Sequence, residues 1–263
     1  MKTYNLDKIR NVALIGHSNC GKTTLTEALL FTTKVTNRMG KVEDGNTVSD
    51  FDKEEKDRQV SISTSIIPVE YENTKINFLD TPGYFDFVGE VYGALRVAGS
   101  AVIVVDASSG IEVGTEKVWK YLEQRSMPRI ILLNKMDKEN VKFDKLLEDL
   151  RDKFGKKVIP FALPLGKGEE HDGYMDILKR QCYIGDKPVD TRPDTAEKAE
   201  NLRSILMESV AETDEEMLEK FFNGEEFSDE EIHEGLKKAV LAGELVPVVL
   251  GSAVKGLGSN LLM

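Results

Sequence analysis

Residues 11–25 read NVALIGHSNCGKTTL, and this stretch decides the fold. NVALIG is a short apolar run that suits a buried strand, and a helix is expected from about Thr23. Between them, Gly16 to Thr23 (GHSNCGKT) has the spacing G-x-x-x-x-G-K-[ST], in the strand–loop–helix setting that gives this motif its mechanism. Backbone N–H groups from Gly16, His17, Ser18, Asn19, Cys20 and Gly21, with the helix N-terminus behind them, would face phosphates. Lys22 supplies a point charge to the β and γ groups, Thr23 a hydroxyl to Mg2+, and Thr24 completes the first helical turn beside them. The competing reading, an accidental glycine loop, leaves the strand before it and the helix after it unexplained.

Working outward, SIIPVEYENTKINFLD (65–80) reads as two strands joined at Asn73 in an antiparallel hairpin. The second strand ends on Asp80, and DTPG turns the chain at once. Beside a phosphate loop, such an aspartate helps hold Mg2+ through water. A backbone N–H from Thr81 or Gly83, past Pro82, can bond the γ-phosphate. Alone, the same residues would make an ordinary strand-ending turn. SAVIVVDAS (100–108) and RIILLNKMD (129–137) are two further buried strands with polar ends. From Ile9 to about Gly155 strands alternate with helical stretches, which predicts an α/β fold with a mostly parallel sheet between helical layers. In such folds the polar strand ends gather at the carboxyl edge, where ligands bind.

A phosphate loop does not choose the base. NKMD, Asn134–Asp137, begins at a strand end, and Asp137 can accept both N–H donors on the guanine edge. Adenine lacks that pair, and a buried unpaired polar group discriminates strongly. Asn134 would brace the loop and the stem of Lys135 would lie over the base, with Met136 between Lys135 and Asp137. GSAVKG (251–256) offers backbone N–H groups at Ser252, Ala253 and Val254 to the guanine carbonyl. Together, in this order, the motifs favour GTP over ATP.

Composition narrows the class. The 263 residues carry a formal net charge of −11, with 40% hydrophobic and 31% charged residues, as expected for an ordinary globular chain long enough for a large core. The acidity argues against DNA binding and leaves a local contact with a large RNA assembly open. No apolar run approaches membrane-spanning length, and MKTYNLDKIRN lacks the apolar stretch of a signal peptide. Cys20 and Cys182 are too few for a disulfide scaffold, so a cytoplasmic setting is expected; the expected state is a monomer.

After about Val158 the pattern changes. GKGEEHDG is turn-rich, QCYIGDKPVD has the look of a strand hairpin, and a long helical region follows, interrupted near Thr213 by a capping-box pattern, TDEE. SDEEIHEGLKKAVLAGEL opens with a second cap, and VPVVLGSA returns to a buried strand. The division expected is 1–157 for the first part of the sheet domain, 158–245 for an inserted α+β subdomain, and 246–263 for its last strand and helix. Ser259 reads as the cap of a helix that has barely begun, which suggests a fragment of a longer protein.

With the loop, DTPG, NKMD and GSA in place, the chain resembles the translational GTPases, and within them elongation factor G and its paralogues. The resemblance covers nearly the whole chain, through RNVALIGHSNCGKTTLTEALL, GKVEDGNTVSDFDKEEKDRQVSI, LDTPGYFDFVGEV, MPRIILLNKMD and the insert before GSA. It implies a P-loop G domain with an inserted subdomain, a ribosome-stimulated GTPase, and further domains downstream. It also implies contacts with the sarcin–ricin loop of ribosomal RNA and with the ribosomal stalk protein. A GTP-gated ribosome-binding switch, or a ribosomal protection factor with little hydrolysis, is the alternative.

The resemblance makes Gly40–Ile62 switch I, with Ser61 of RQVSI at the position of the family's Mg2+-binding threonine and Gln59 at that of its glycine. Serine keeps the oxygen that the ion needs. DFDKEEKDR has a plain reading as a solvated helix face beside that of a ribosome contact. Asn19 stands where the family usually has Asp; a neutral amide there either braces the loop or coordinates a monovalent cation such as K+. Tyr84 stands where the family has the histidine that orients the attacking water. A phenol is a poor base at neutral pH, yet phosphoryl transfer mainly needs positioning, so Tyr84, with Lys22 and Gly83 as the other catalytic candidates, implies slower hydrolysis. His17 and Cys20 contribute backbone only, Cys20 as a small buried filler. His171 and His233 are expected at the surface.

Overall fold

The apolar run NVALIG lies within β1 (Ile9–Gly16), which sits near the middle of a seven-stranded sheet. The computed structural model describes residues 2–166, 168–185, 187–191 and 193–263. After β1 come α1 (Lys22–Thr32), α2 (Lys53–Arg58), β2 (Ser65–Tyr71), β3 (Thr74–Asp80), α3 (Val88–Val97), β4 (Ser100–Asp106), α4 (Val113–Gln124), β5 (Arg129–Asn134), α5 (Phe143–Phe154) and β6 (Val158–Pro160). A second unit follows, with β7 (Ala162–Leu165), β8 (Gly173–Asp176), β9 (Gln181–Ile184), β10 (Lys187–Val189), α6 (Pro193–Ala211), α7 (Glu215–Phe222) and α8 (Asp229–Ala242). The chain then returns as β11 (Val246–Leu250) and α9 (Ser259–Leu262).

The main sheet runs β2-β3-β1-β4-β5-β11-β6, parallel throughout except for the antiparallel pair β2–β3. That pair turns at Glu72 and Asn73, both with positive φ, and its register sets Ser65 opposite Asp80. β6 belongs to this sheet, so the sheet extends to Pro160, past the expected end of its first part. Both faces are covered, which explains strands that are apolar in continuous runs rather than alternately. Ile15, Ile103, Ile131 and Val248 pack on one face with α3, α4 and α5, while Leu14, Val104, Leu132 and Val249 pack on the other with Leu25 and Leu29 of α1. These residues are fully buried or nearly so, and truncating one such leucine or isoleucine costs about 2–5 kcal/mol.

The insert has its own antiparallel sheet, β10-β9-β8-β7, and three helices that pack together. Its core is continuous with that of the main sheet: Leu163, Met175, Cys182, Leu206 and Leu236 join the cluster that holds Leu147 and Leu150 of α5.

Local expectations divide by what competes for each hydrogen bond. Ser228 caps α8 in a full capping box with Glu231, as SDEE suggested. At TDEE the cap is Asp214, which accepts from Glu216 N at 3.1 Å, because the Thr213 hydroxyl is taken by Val210 O at 2.7 Å. Ser259 is not a cap: α9 starts on it, Gly258 in a left-handed conformation precedes it, and its hydroxyl is buried without a partner among the described residues. His233 is exposed. His171 is not; it is 1% exposed, held by Leu165 O at 3.1 Å, and burial pushes its pKa down.

Candidate nucleotide-binding site

β1 lies between β3 and β4, so the strand order reverses there and a crevice opens beyond its carboxyl end. The loop from Gly16 to Gly21 sits at that end. At Gly16 a Cβ would stand 2.3 Å from Val104 O, leaving no room for a side chain. Gly21 has φ +95°, and a Cβ there would meet Asn134 Nδ2 at 2.3 Å, so conformation and close approach both demand glycine. Asn19 is left-handed at φ 58°, which asparagine tolerates better than most. The backbone N–H groups of Ser18 to Gly21 meet no protein acceptor among the described residues. Such donors at the start of a helix suit an anion. Cys20 is buried in the apolar cluster under α1, and burial pushes its thiol up.

Lys22 is buried and folds back over this loop, donating to His17 O at 2.8 Å and Gly16 O at 3.3 Å. The DTPG turn presses on it from outside: a Cβ on Gly83 would meet Lys22 Nζ at 2.5 Å and Ser18 Cα at 2.7 Å. The Thr81 hydroxyl donates to Leu14 O at 2.7 Å and pins the turn to β1, while Pro82 is buried beside it. The His17 ring points toward Glu112, with Nε2 3.4 Å from its carboxylate.

The three candidate metal ligands come together from distant parts of the chain. Thr23 Oγ1 and Ser61 Oγ are 3.1 Å apart. Asp80 is buried, and neither carboxylate oxygen makes a hydrogen bond of normal geometry among the described residues. Burial pushes its pKa up to about 6, against the opposing influence of the Ser49 hydroxyl, the Lys22 charge and the Thr23 hydroxyl nearby. A buried carboxylate with free oxygens beside two hydroxyls fits a hard divalent cation such as Mg2+. Among the described residues no group of three or more His, Cys, Asp or Glu could hold a metal alone.

Three carboxylates not picked out from the sequence support this corner. Asp50 is buried and raised in pKa chiefly by burial, with the nearby Ser61 hydroxyl acting the other way. Glu27 of α1 accepts from Gly40 N at 2.7 Å and Val48 N at 2.6 Å. Glu55 of α2 accepts from Ile62 N at 3.0 Å and Ser63 N at 3.2 Å. Both glutamates had a signal: Glu27 interrupts the apolar run LTEALL, and Asp52-x-x-Glu55 has capping-box spacing.

Asn134 ties the base loops to the phosphate loop. Its Nδ2 donates to Cys20 O at 2.9 Å, and its Oδ1 accepts from Ala253 N at 2.9 Å. Lys135 reaches across Gly21 and donates to Asn19 O at 2.7 Å and Asp106 at 2.6 Å. Burial would raise Asp106, but Lys135 and Ser108 outweigh it and hold that carboxyl low. Met136 is buried and its N–H donates to Gly251 O, while Ser252 is fully buried. A cavity of about 390 Å3 joins these parts; Ser18, Asn19, Gly21, Lys22, Thr23 and Thr24 line one side. Ser61, Gly83 and Tyr84, 39% exposed, line another, with Lys135 and Val254 at the rim. Asp80 lies outside this lining, and so does Asp137, half buried beyond Lys135.

Three loops from separate strand ends, knitted through one asparagine around a phosphate-loop lysine, have a counterpart in known proteins. Residues 7–263 match the family described as the elongation factor Tu GTP binding domain. The chain belongs to this family. It is a translational GTPase G domain, and the family's members are GTPases. A crystal structure of a protein from Thermus thermophilus is similar with a TM-score of 0.92 and 37% identity, over 97% of this chain. The chain spans 39% of the length of that protein. No helix among the described residues is long and apolar enough to cross a membrane.

Proposed function

We propose that this chain is the GTP-binding and GTP-hydrolysing domain of an elongation factor G-like translational GTPase, acting on the ribosome in a translocation-type step. The observation that carries the reading is the insert, a four-stranded sheet with three helices between β6 and β11, ahead of the loop 251–256. The phosphates would lie on Ser18 to Thr24, where Lys22 would exchange the carbonyls of Gly16 and His17 for phosphate oxygens. Thr23 and Ser61 would hold Mg2+ directly and Asp80 through water; when bound, the ion would neutralise charge developing on the phosphates. Asn134 would keep the base loops in register, with guanine read by Asp137 and by the backbone of Ser252 to Val254. The stem of Lys135 would lie over the base, and Asn19 would be the group to take up K+. Contacts with the sarcin–ricin loop and the stalk protein, a cytoplasmic setting and a monomeric state belong to the same reading.

Gly83 N–H would bond the γ-phosphate, and Tyr84 at the cavity wall would orient water through its hydroxyl. Without an imidazole, hydrolysis should be slow. Calorimetry should show binding of GTP and GDP with Mg2+, and none of ATP at the same concentrations. Phosphate release with ribosomes should rise in Tyr84→His, by as much as about 10²–10⁴-fold, the range of a positioned acid–base group. An unchanged or lower rate would favour the GTP-gated switch with little hydrolysis.

A further inference from the structure

Ser61, near the end of switch I, comes within 3.1 Å of the Thr23 hydroxyl. Helix α2 is a charged segment whose Lys53, Glu54, Lys56, Asp57 and Arg58 are exposed, while Glu55 is 2% exposed. Glu55 Oε2 accepts from Asp52 N at 3.2 Å and closes the capping box that starts the helix. That bond explains a cap and nothing more. Its other oxygen accepts from two amides beyond the helix, Ile62 and Ser63, immediately after Ser61. Between them the chain reverses at Gln59, with φ 54°, and Val60 N returns to Glu55 O at 3.1 Å.

We propose that Glu55 is the positioning residue that sets Ser61 on the divalent-ion site; this rests on the reading of Ser61 as an ion ligand. A carboxylate only accepts, so it can take N–H donors on both oxygens at once. A glutamine has one acceptor oxygen, and its NH2 would face an N–H at one end or the other. Glu55→Gln therefore keeps the shape and loses one of the two attachments.

The test measures single-turnover GTP hydrolysis against Mg2+ concentration, with GDP affinity measured on the same proteins by calorimetry. In Glu55→Gln the half-saturating Mg2+ concentration should rise roughly tenfold, the scale of one lost buried hydrogen bond, with GDP affinity within about threefold of wild type. Ser61→Ala should raise it at least as much, and adding Glu55→Gln to Ser61→Ala should add little, because both act through one oxygen. If Ser61→Ala leaves the Mg2+ response unchanged, the ligand reading itself falls. If Ser61→Ala shifts it and neither Glu55→Gln nor Glu55→Ala, which removes both attachments, does, the positioning role alone is overturned. A GDP affinity lost along with the Mg2+ response would assign Glu55 to the stability of the domain and would also overturn it.

Discussion

The phosphate loop, Gly16 to Thr23, and switch I, residues 40–62, close on one cavity but are held in different ways. The loop is shaped by close approach: Gly16 against Val104 O, Gly21 against Asn134, and Gly83 against Lys22 and Ser18. Its tethers are the neutral bonds of Asn134 to Cys20 O and Ala253 N. Switch I has few apolar anchors, and Phe51 and Val48 are exposed. It hangs from two buried carboxylates, Glu27 near its start and Glu55 near its end, and Ser65 ties its exit to Ser49 O at 2.7 Å. Steric fit resists many small changes; a segment hung from single side chains is released by changing one of them.

Lys22→Ala should break the loop side most severely, lowering GTP affinity by about 100-fold or more, the scale of two charge-assisted bonds to phosphate. Calorimetry checks this, and a loss under tenfold would mean that phosphates do not lie there. Asp80→Asn tests the joint between the two regions. A carboxyl raised to about 6 when folded binds more protons than its unfolded counterpart, so it reduces stability as pH rises from about 4 to 6. Without nucleotide and Mg2+, Asp80→Asn should therefore be more stable than wild type at pH 7.5, by up to about 3 kcal/mol, with little difference at pH 4. Urea unfolding at the two pH values measures it; an equal gap at both would remove the buried charge as the cause.

On the switch side, Glu27→Ala leaves the buried Gly40 amide and the part-buried Val48 amide without an acceptor and should cost about 2 kcal/mol. Protease cleavage within residues 40–62 should quicken while GDP affinity holds; an unchanged cleavage rate would show that Glu27 does not tether the segment. The smallest effect should come from Gln59→Gly. Glycine removes left-handed strain at φ 54° but frees the unfolded chain, so stability should move by less than about 1 kcal/mol. A larger loss would mean that the Gln59 side chain, Nε2 3.4 Å from Glu43 O, carries more than its geometry suggests.

What the sequence disclosed follows the same divide. Gly16, Gly21, Lys22, Asp80 and Asn134 were readable because each answers a local constraint, a close approach or a strand end, that a short motif records. The hairpin at Asn73 and the capping box at Ser228 were readable for the same reason. Asp50 was not, and Glu27 and Glu55 left only a break in an apolar run and a cap spacing, since the amides that the two glutamates hold lie from seven to 21 residues away and only the folded chain brings them inward. His171 failed similarly: nothing near it in sequence shows that Leu165 O and Lys255 would enclose it.

One register has a mechanical consequence. Ser65, where switch I passes into β2, is paired with Asp80, where β3 passes into the DTPG turn, and Thr64 N is latched to Glu90 of α3 at 2.7 Å. The two segments are thus opposite arms of a single rung. Under the proposed reading, a tug on Ser61 would reach Asp80 through one ladder step, and loss of the terminal phosphate would slacken both arms together, with no need for a longer relay.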